Sequence, residues 1–209
     1  MAERNDILLT LIGCGQTAWE ADDRVHGATD LPLSSTGRAS ISAIASAIKP
    51  KSLGVIYHSS DESSTDTAHI IADASGSKTK LIEELCEPDL GLIDGLTEKD
   101  FADRFPRRHK QWLEDPLSLS PPEGEPLVDA RARIFEACSK ILKRSKSDHP
   151  VIVLRPLALG FMRCWLCDRS VTSLWDIVKA RPQIERYALN SEIVSWLEEA
   201  ATTVQKVSS

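Results

Sequence analysis

Leu8-Leu9-Thr10-Leu11-Ile12-Gly13-Cys14-Gly15-Gln16-Thr17-Ala18-Trp19-Glu20 is an apolar run that stops at a Gly-Cys-Gly turn and passes straight into polar chain. From Ile7 to Ile12 only Thr10 interrupts the apolar character, the pattern of a strand covered on both faces and therefore central in its sheet. Leu53 to His58 is a second short apolar run, Lys80 to Leu85 a third candidate, and Val151 to Leu154 a fourth, while Ile184 to Leu189 suits an edge strand. Between them lie helical patterns. One starts near Ser34 or Ser35, places Ile41, Ile44 and Ile48 on one face and stops before Pro50. Others run from about Thr65 to Ala74, and from Leu127 through Ala130, Ile134, Cys138 and Ile141. A last one turns Ile193, Leu197, Ala200 and Val204 inward. Strands alternating with helices predict an α/β three-layer sandwich: a mainly parallel central sheet with helices on both faces.

The 209 residues suit a single domain over 1–209, with a helical insertion near 97–120 where one or two short helices break at Pro106. A net charge of −6 speaks against a general nucleic-acid surface, which needs clustered Lys and Arg. No apolar run approaches the roughly 20 residues that cross a bilayer. MAERND lacks the apolar segment of a signal peptide, so no membrane association and a cytoplasmic location are expected. Five widely spread cysteines do not form a disulfide framework and are expected reduced. Cys164-Trp165-Leu166-Cys167 has C-x-x-C spacing but no second pair or histidine cluster, so core packing outweighs metal or redox work. The basic run Arg104 to Lys110 reads as a solvated helix end, with attraction of an anionic ligand as the alternative.

In a parallel sheet of this kind ligands bind beyond the carboxyl ends of the strands. That rule gathers Gly13 to Thr17, His58 to Ser64, the loop at Glu87, and Arg155 to Leu157 into one candidate site. Gly13 to Ala18 also fits G-x-G-x-x-A, but a Gly/Asp/Pro loop follows where a dinucleotide fold needs a helix, and the next strand lacks the terminal acid.

A longer pattern starts at the same turn. Gly15-Gln16-Thr17-Ala18-Trp19-Glu20, then Arg24-Val25-His26-Gly27-Ala28-Thr29-Asp30-Leu31-Pro32-Leu33-Ser34 and Gly37-Arg38, continues with Ser59 to Ala68, Glu87 to Thr97 and Gly124-Glu125. It resembles the histidine phosphatase superfamily, the phosphoglycerate-mutase-like proteins. Their opening reads Leu-x-Arg-His-Gly-Glu-Thr-x-Trp-Asn, followed by Arg-x-x-Gly-x-x-Asp-x-Pro-Leu-Thr. The resemblance covers about residues 7 to 165 and implies phosphoryl transfer through a histidine after the first strand, two phosphate-holding arginines, a second histidine and an acid.

Carried over position by position, the resemblance puts Cys14 at the nucleophile, Gly13 and Ser63 at the two arginines, and Arg155 at the second histidine. Only Glu87, at the acid, keeps its type. Gln16, Thr17 and Glu20 complete the phosphate-pocket positions, Glu20 standing where the family usually has Asn. Losing one charged contact to a developing oxyanion costs on the order of 10²-fold in rate. The expectation is therefore a pseudophosphatase, with no cofactor and no metal, that binds a small anionic or phosphorylated ligand or a partner protein at the old cleft. The alternative is a rewired phosphate-ester hydrolase using Cys14, Glu87 and Arg155, although the position six after Cys14 holds Glu20 rather than the Arg of a cysteine phosphatase. Arg155 is expected to pair with Glu87 or Glu20. His26 and His58 are expected to be hydrogen-bonded loop histidines at the pocket border.

Overall fold

The computed structural model describes residues 7–49, 52–145, 149–179 and 184–205. Five strands form one sheet: β1 (Ile7–Gly13), β2 (Ile56–His58), β3 (Thr79–Leu81), β4 (Val151–Leu154) and β5 (Ile184–Leu189), in the order β3-β2-β4-β1-β5. The first four run parallel and β5 pairs antiparallel with β1 at the edge. This is the α/β sandwich that the alternation of strands and helices predicts.

Strand alternation sorts the apolar residues into two cores. Leu9 and Leu11 of β1 and Ile152 and Leu154 of β4 face one side. There they meet α6 (Leu127–Arg144), α7 (Pro156–Leu166) and α9 (Ser191–Gln205). Ile12, Val151 and Val153 face the other side, against α2 (Ser35–Ser46) and α3 (Glu62–Ser75). A four-residue α1 (Ala18–Ala21) follows the first turn, and α4 (Glu98–Arg104) and α5 (Pro106–Glu114) break at Pro106. A short α8 (Leu174–Lys179) precedes β5.

Three boundaries differ from the sequence reading, the first being strand β2, which starts at Ile56 rather than Leu53. Helix α3 begins at Glu62 rather than near Thr65, because Asp61 caps it by accepting from the Ser64 N–H at 2.9 Å. Strand β3 ends at Leu81 rather than Leu85; Glu83–Leu85 closes into a 3₁₀ turn through the bond from Leu85 N–H to Ile82 O. The expected stop at Pro50 and the side chain of Val204 lie outside the described residues.

The turn after β1 is clamped against α2. Ser34 donates to Gln16 O from both its backbone N–H (2.8 Å) and its hydroxyl (2.9 Å), and the same hydroxyl caps α2 by accepting from Gly37 N–H. Helix and turn approach so closely that a Cβ on Gly37 would lie 2.1 Å from Gln16 O. Replacing a helical glycine by alanine normally gains about 1 kcal/mol, but overpacking against rigid backbone costs about 1–3 kcal/mol or more. Gly37→Ala should accordingly lower stability, read as a reduced urea midpoint. An unchanged or raised midpoint would show that the turn is not clamped here.

Candidate functional site

The loops after β1, β2 and β4 converge as predicted. Cys14 extends the β1 ladder by donating its N–H to Leu154 O at 2.9 Å. Thr67, on the buried face of α3, ties the first turn to the second. Its hydroxyl accepts from Gly15 N–H at 3.1 Å, donates to Ser63 O at 2.8 Å and lies 3.5 Å from Cys14 Sγ. The Ser63 hydroxyl donates to Asp61 Oδ1 at 2.8 Å, and Ser59 donates to Asp61 Oδ2 at 2.5 Å. Asp61 thus puts a carboxylate beside the position where the resemblance calls for an arginine. Sequence reasoning included it in the stretch His58 to Ser64 but gave it no role, though an Asp just before a helix is a capping signal.

The expected ion pair of Arg155 is not formed, because both candidate carboxylates have nearer partners. Glu87 accepts from the backbone N–H groups of Leu157 (2.7 Å) and Ala158 (2.9 Å), at the start of α7. Glu20 accepts from Thr17 N–H at 2.8 Å and from the Thr17 hydroxyl at 3.2 Å, a local bond across α1. Among the described residues Arg155, 2 % exposed, makes one long hydrogen bond, from Nη1 to Thr29 O at 3.5 Å, and its buried Nη2 has no partner.

The local charges follow. Burial pushes the Cys14 thiol up to about 11, an effect that hydrogen bonds from Ser63 and Thr67 and the Arg155 charge only partly offset. It is a neutral thiol at pH 7. Burial likewise raises Glu87 to about 7 against the opposing pull of Arg155 and the two N–H donors. For Asp61, burial works upward, but the Ser59 hydrogen bond, Arg155 and the Ser64 and Ser63 donors together hold it below its ordinary range. Burial and Arg155 lower His26, leaving it neutral at pH 7. His26 bridges Thr17 Oγ1 (3.1 Å) and Thr29 O (2.9 Å) as the hydrogen-bonded loop histidine expected, whereas His58, whose Nδ1 lies 2.8 Å from Ser59 O, is the last residue of β2 rather than a loop residue.

The site residues do not share one cavity. Gly13, Cys14 and Gln16 line a small cavity of about 120 Å³ against Pro156 and Leu159. Glu20 and His26 line a cleft of about 520 Å³ walled by Trp112, Trp175 and Leu157, with Asp22, Asp23 and Glu98 at its rim. Thr17, Ser63, Glu87 and Arg155 are buried and line neither. The basic run contributes no lining residue to this cleft: Arg108 bonds Ser120 O, His109 faces Glu98 and Lys110 faces Glu114. Cys164 packs in the core, but Cys167 is exposed, so core packing describes only half of the C-x-x-C pair. Among the described residues no three His, Cys, Asp or Glu side chains gather as a metal site would require.

Glu87 offers a direct test of this electrostatic arrangement. A carboxyl raised from 4.5 to about 7 on folding holds its proton more tightly in the folded chain. Its stabilising contribution is fully present below pH 4.5 and is lost as pH rises to about 7, on the order of 3 kcal/mol. Glu87→Gln stays neutral and should lose none of it. Urea unfolding at pH 5 and pH 8 should therefore show the stability difference moving in the variant's favour; a difference independent of pH would contradict the assignment.

Comparison with known proteins places this geometry in a family. Residues 9–192 match the family model of the histidine phosphatase superfamily (branch 1). The chain is 31 % identical over 157 residues to "Probable phosphoglycerate mutase GpmB" of Escherichia fergusonii, covering 72 % of this chain and 70 % of that one. It is 24 % identical over 170 residues to phosphoserine phosphatase 1 of Hydrogenobacter thermophilus, covering 81 % of each. The solved structure of Bacillus stearothermophilus YhfR superposes with a TM-score of 0.76 at 23 % identity, over 88 % of this chain and 96 % of that one. With its sheet order, its converging loops and a match over nearly its whole length, this chain belongs to the histidine phosphatase superfamily.

Proposed function

We propose that this protein is a non-catalytic member of the superfamily that binds a small ligand through a single negatively charged group held by Arg155. The observation that carries this reading is the buried guanidinium with no ion pair and an unpartnered Nη2. A buried charge without a counter-ion is held at a cost of several kcal/mol, and an incoming anion relieves it. Arg155 Nη1 lies 3.5 Å from Thr29 O, which His26 Nε2 also approaches at 2.9 Å, and His26 lines the 520 Å³ cleft, so one shared carbonyl links the guanidinium to the cleft wall.

Charge limits what that anion is. Phosphoryl transfer needs positioned cations around a group carrying nearly two negative charges. Here the Arg155 guanidinium stands among Asp61, Glu87 and Glu20, and the cleft lining sets Arg24 against Asp22, Asp23 and Glu98, so acids outnumber cations. A monoanion such as a carboxylate suits this balance better than a phosphate dianion. Cys14 is protonated at pH 7, and the nearby Asp61 carboxylate pushes its thiol further up rather than down, which weighs against the rewired hydrolase. Both oxygens of Glu87 accept backbone N–H bonds, which makes it a clamp on α7 rather than a free proton donor.

Two measurements test the reading. Phosphoserine, 3-phosphoglycerate and p-nitrophenyl phosphate should release no phosphate above background. Turnover that disappears in both Cys14→Ala and Glu87→Ala would overturn the non-catalytic assignment. Glycerate, a phosphate-free carboxylate, should raise the melting temperature of the unaltered chain. Arg155→Met should weaken that binding tenfold or more, about 1.4 kcal/mol, while its own melting temperature stays unchanged or rises. Glycerate binding that survives Arg155→Met, or no glycerate binding at all, would reject Arg155 as the anchor.

A further inference from the structure

A second cavity, of about 540 Å³, opens between α6, α7, α9 and the edge strand β5. Its β5 wall includes Ala188 and Leu189, which pair with Leu8 and Ile7 at the opposite end of β1 from Gly13 and Cys14. It is therefore separate from the site described above. Aromatic rings dominate the lining: Phe135, Trp165, Tyr187 and Trp196, the first two with centroids 6.1 Å apart. Trp196 is 53 % exposed, unusual for so large an apolar side chain in a wall that already forms a concavity.

The polar groups at this cavity are unbalanced. Arg131 and Arg169 face one carboxylate, Asp168. Arg131 makes no ion pair or hydrogen bond among the described residues; its Nε is buried and unpartnered, and its guanidinium sits over the Phe135 ring at 5.8 Å. Burial pulls it below its ordinary range with no neighbouring anion to compensate. The related Arg133, two residues on, shows the contrast: it forms a two-pronged bond with Glu125 at 2.9 and 2.6 Å.

We infer that this cavity binds an amphipathic carboxylate, its aryl or alkyl body among Phe135, Trp165, Tyr187 and Trp196 and its carboxylate on Arg131. The volume falls within the range of about 300–1,000 Å³ that small-molecule sites occupy, and a mostly apolar wall with one fixed polar anchor is their usual composition. A planar guanidinium stacked on a ring still presents its in-plane N–H groups to a carboxylate. The inference stands independently of Arg155, since a different cavity and a different guanidinium carry it.

The test uses the full chain and three probes that differ only in the polar end: 4-phenylbutyrate, 4-phenylbutanol and 4-phenylbutylamine, titrated calorimetrically and by tryptophan fluorescence. The acid should bind at least tenfold more tightly than the alcohol or the amine. Arg131→Met should erase that preference, Arg131→Lys should retain part of it, and Arg38→Met, at an exposed residue of α2 that does not line this cavity, should leave it unchanged. Equal binding of the three probes, or no binding of the acid, would overturn the inference without reference to any variant. A preference that survives Arg131→Met, or that vanishes in Arg38→Met, would move the carboxylate away from this cavity.

Discussion

The two hydrogen bonds from Leu157 and Ala158 N–H to the carboxyl of Glu87 hold the carboxyl edge of the sheet together. The first turn of a helix has N–H groups that no residue of the helix can accept, and its dipole favours an anion there. Helix α7 begins with Pro156, which removes one such donor, and Glu87 accepts the next two from a loop 70 residues away. The loop bearing Glu87 and the end of β4 are thereby locked in one arrangement. Arg155 sits at the N-cap of the same helix, so its position is set by a carboxylate that does not pair with it.

That clamp explains why the centre of the site is polar yet short of cations. Each acid nearby has a local partner: Asp61 caps α3, Glu20 bonds Thr17, and Glu87 bonds α7. Hydrogen bonding to a carboxylate stabilises it without any contribution from Arg155. The guanidinium acts on these groups through its field, visible in the direction of the Asp61 and His26 shifts, rather than through contact. A framework shared with the superfamily therefore encloses acids that are each held by a local partner.

What the sequence made legible divides along the same line between local and distant interactions. The apolar run of β1, the Ser34 cap of α2, the break at Pro106 and the edge position of β5 follow from periodicity and from residues that act on their near neighbours. The convergence of Cys14, Ser63, Glu87 and Arg155 was legible as well, because strand order in a parallel sheet determines which loops meet. Contacts between those loops were not. Whether Arg155 reaches Glu87 or the α7 amides reach it first depends on distances of an ångström or two, and the amides are fixed in place by the helix while the arginine has four side-chain torsions to satisfy. The division of the site between two cavities was hidden for a similar reason, since Trp112 and Trp175 wall the cleft from segments more than 60 residues apart.

Arg155 and Arg131 pose the same energetic question in two places. A chain of this length has a net stability of about 5–15 kcal/mol, and a buried charge without a partner consumes a sizeable fraction of it. Neither guanidinium makes an ion pair among the described residues, whereas Arg133 and Arg163 on the same layer of helices each find a carboxylate at 2.6 Å. The fold evidently supplies partners for buried arginines where the chain itself is the only possible source of them. Among the described residues Arg155 has an unpartnered buried Nη2 and the half-buried Arg131 an unpartnered Nε, and on the two proposals above an anion from solution completes each. On those proposals the two sites share one logic, a preformed cation that takes an external carboxylate, and differ in what surrounds it: Asp22, Asp23 and Glu98 outnumber Arg24 in the cleft near Arg155, and aromatic walls favour apolar bulk around Arg131.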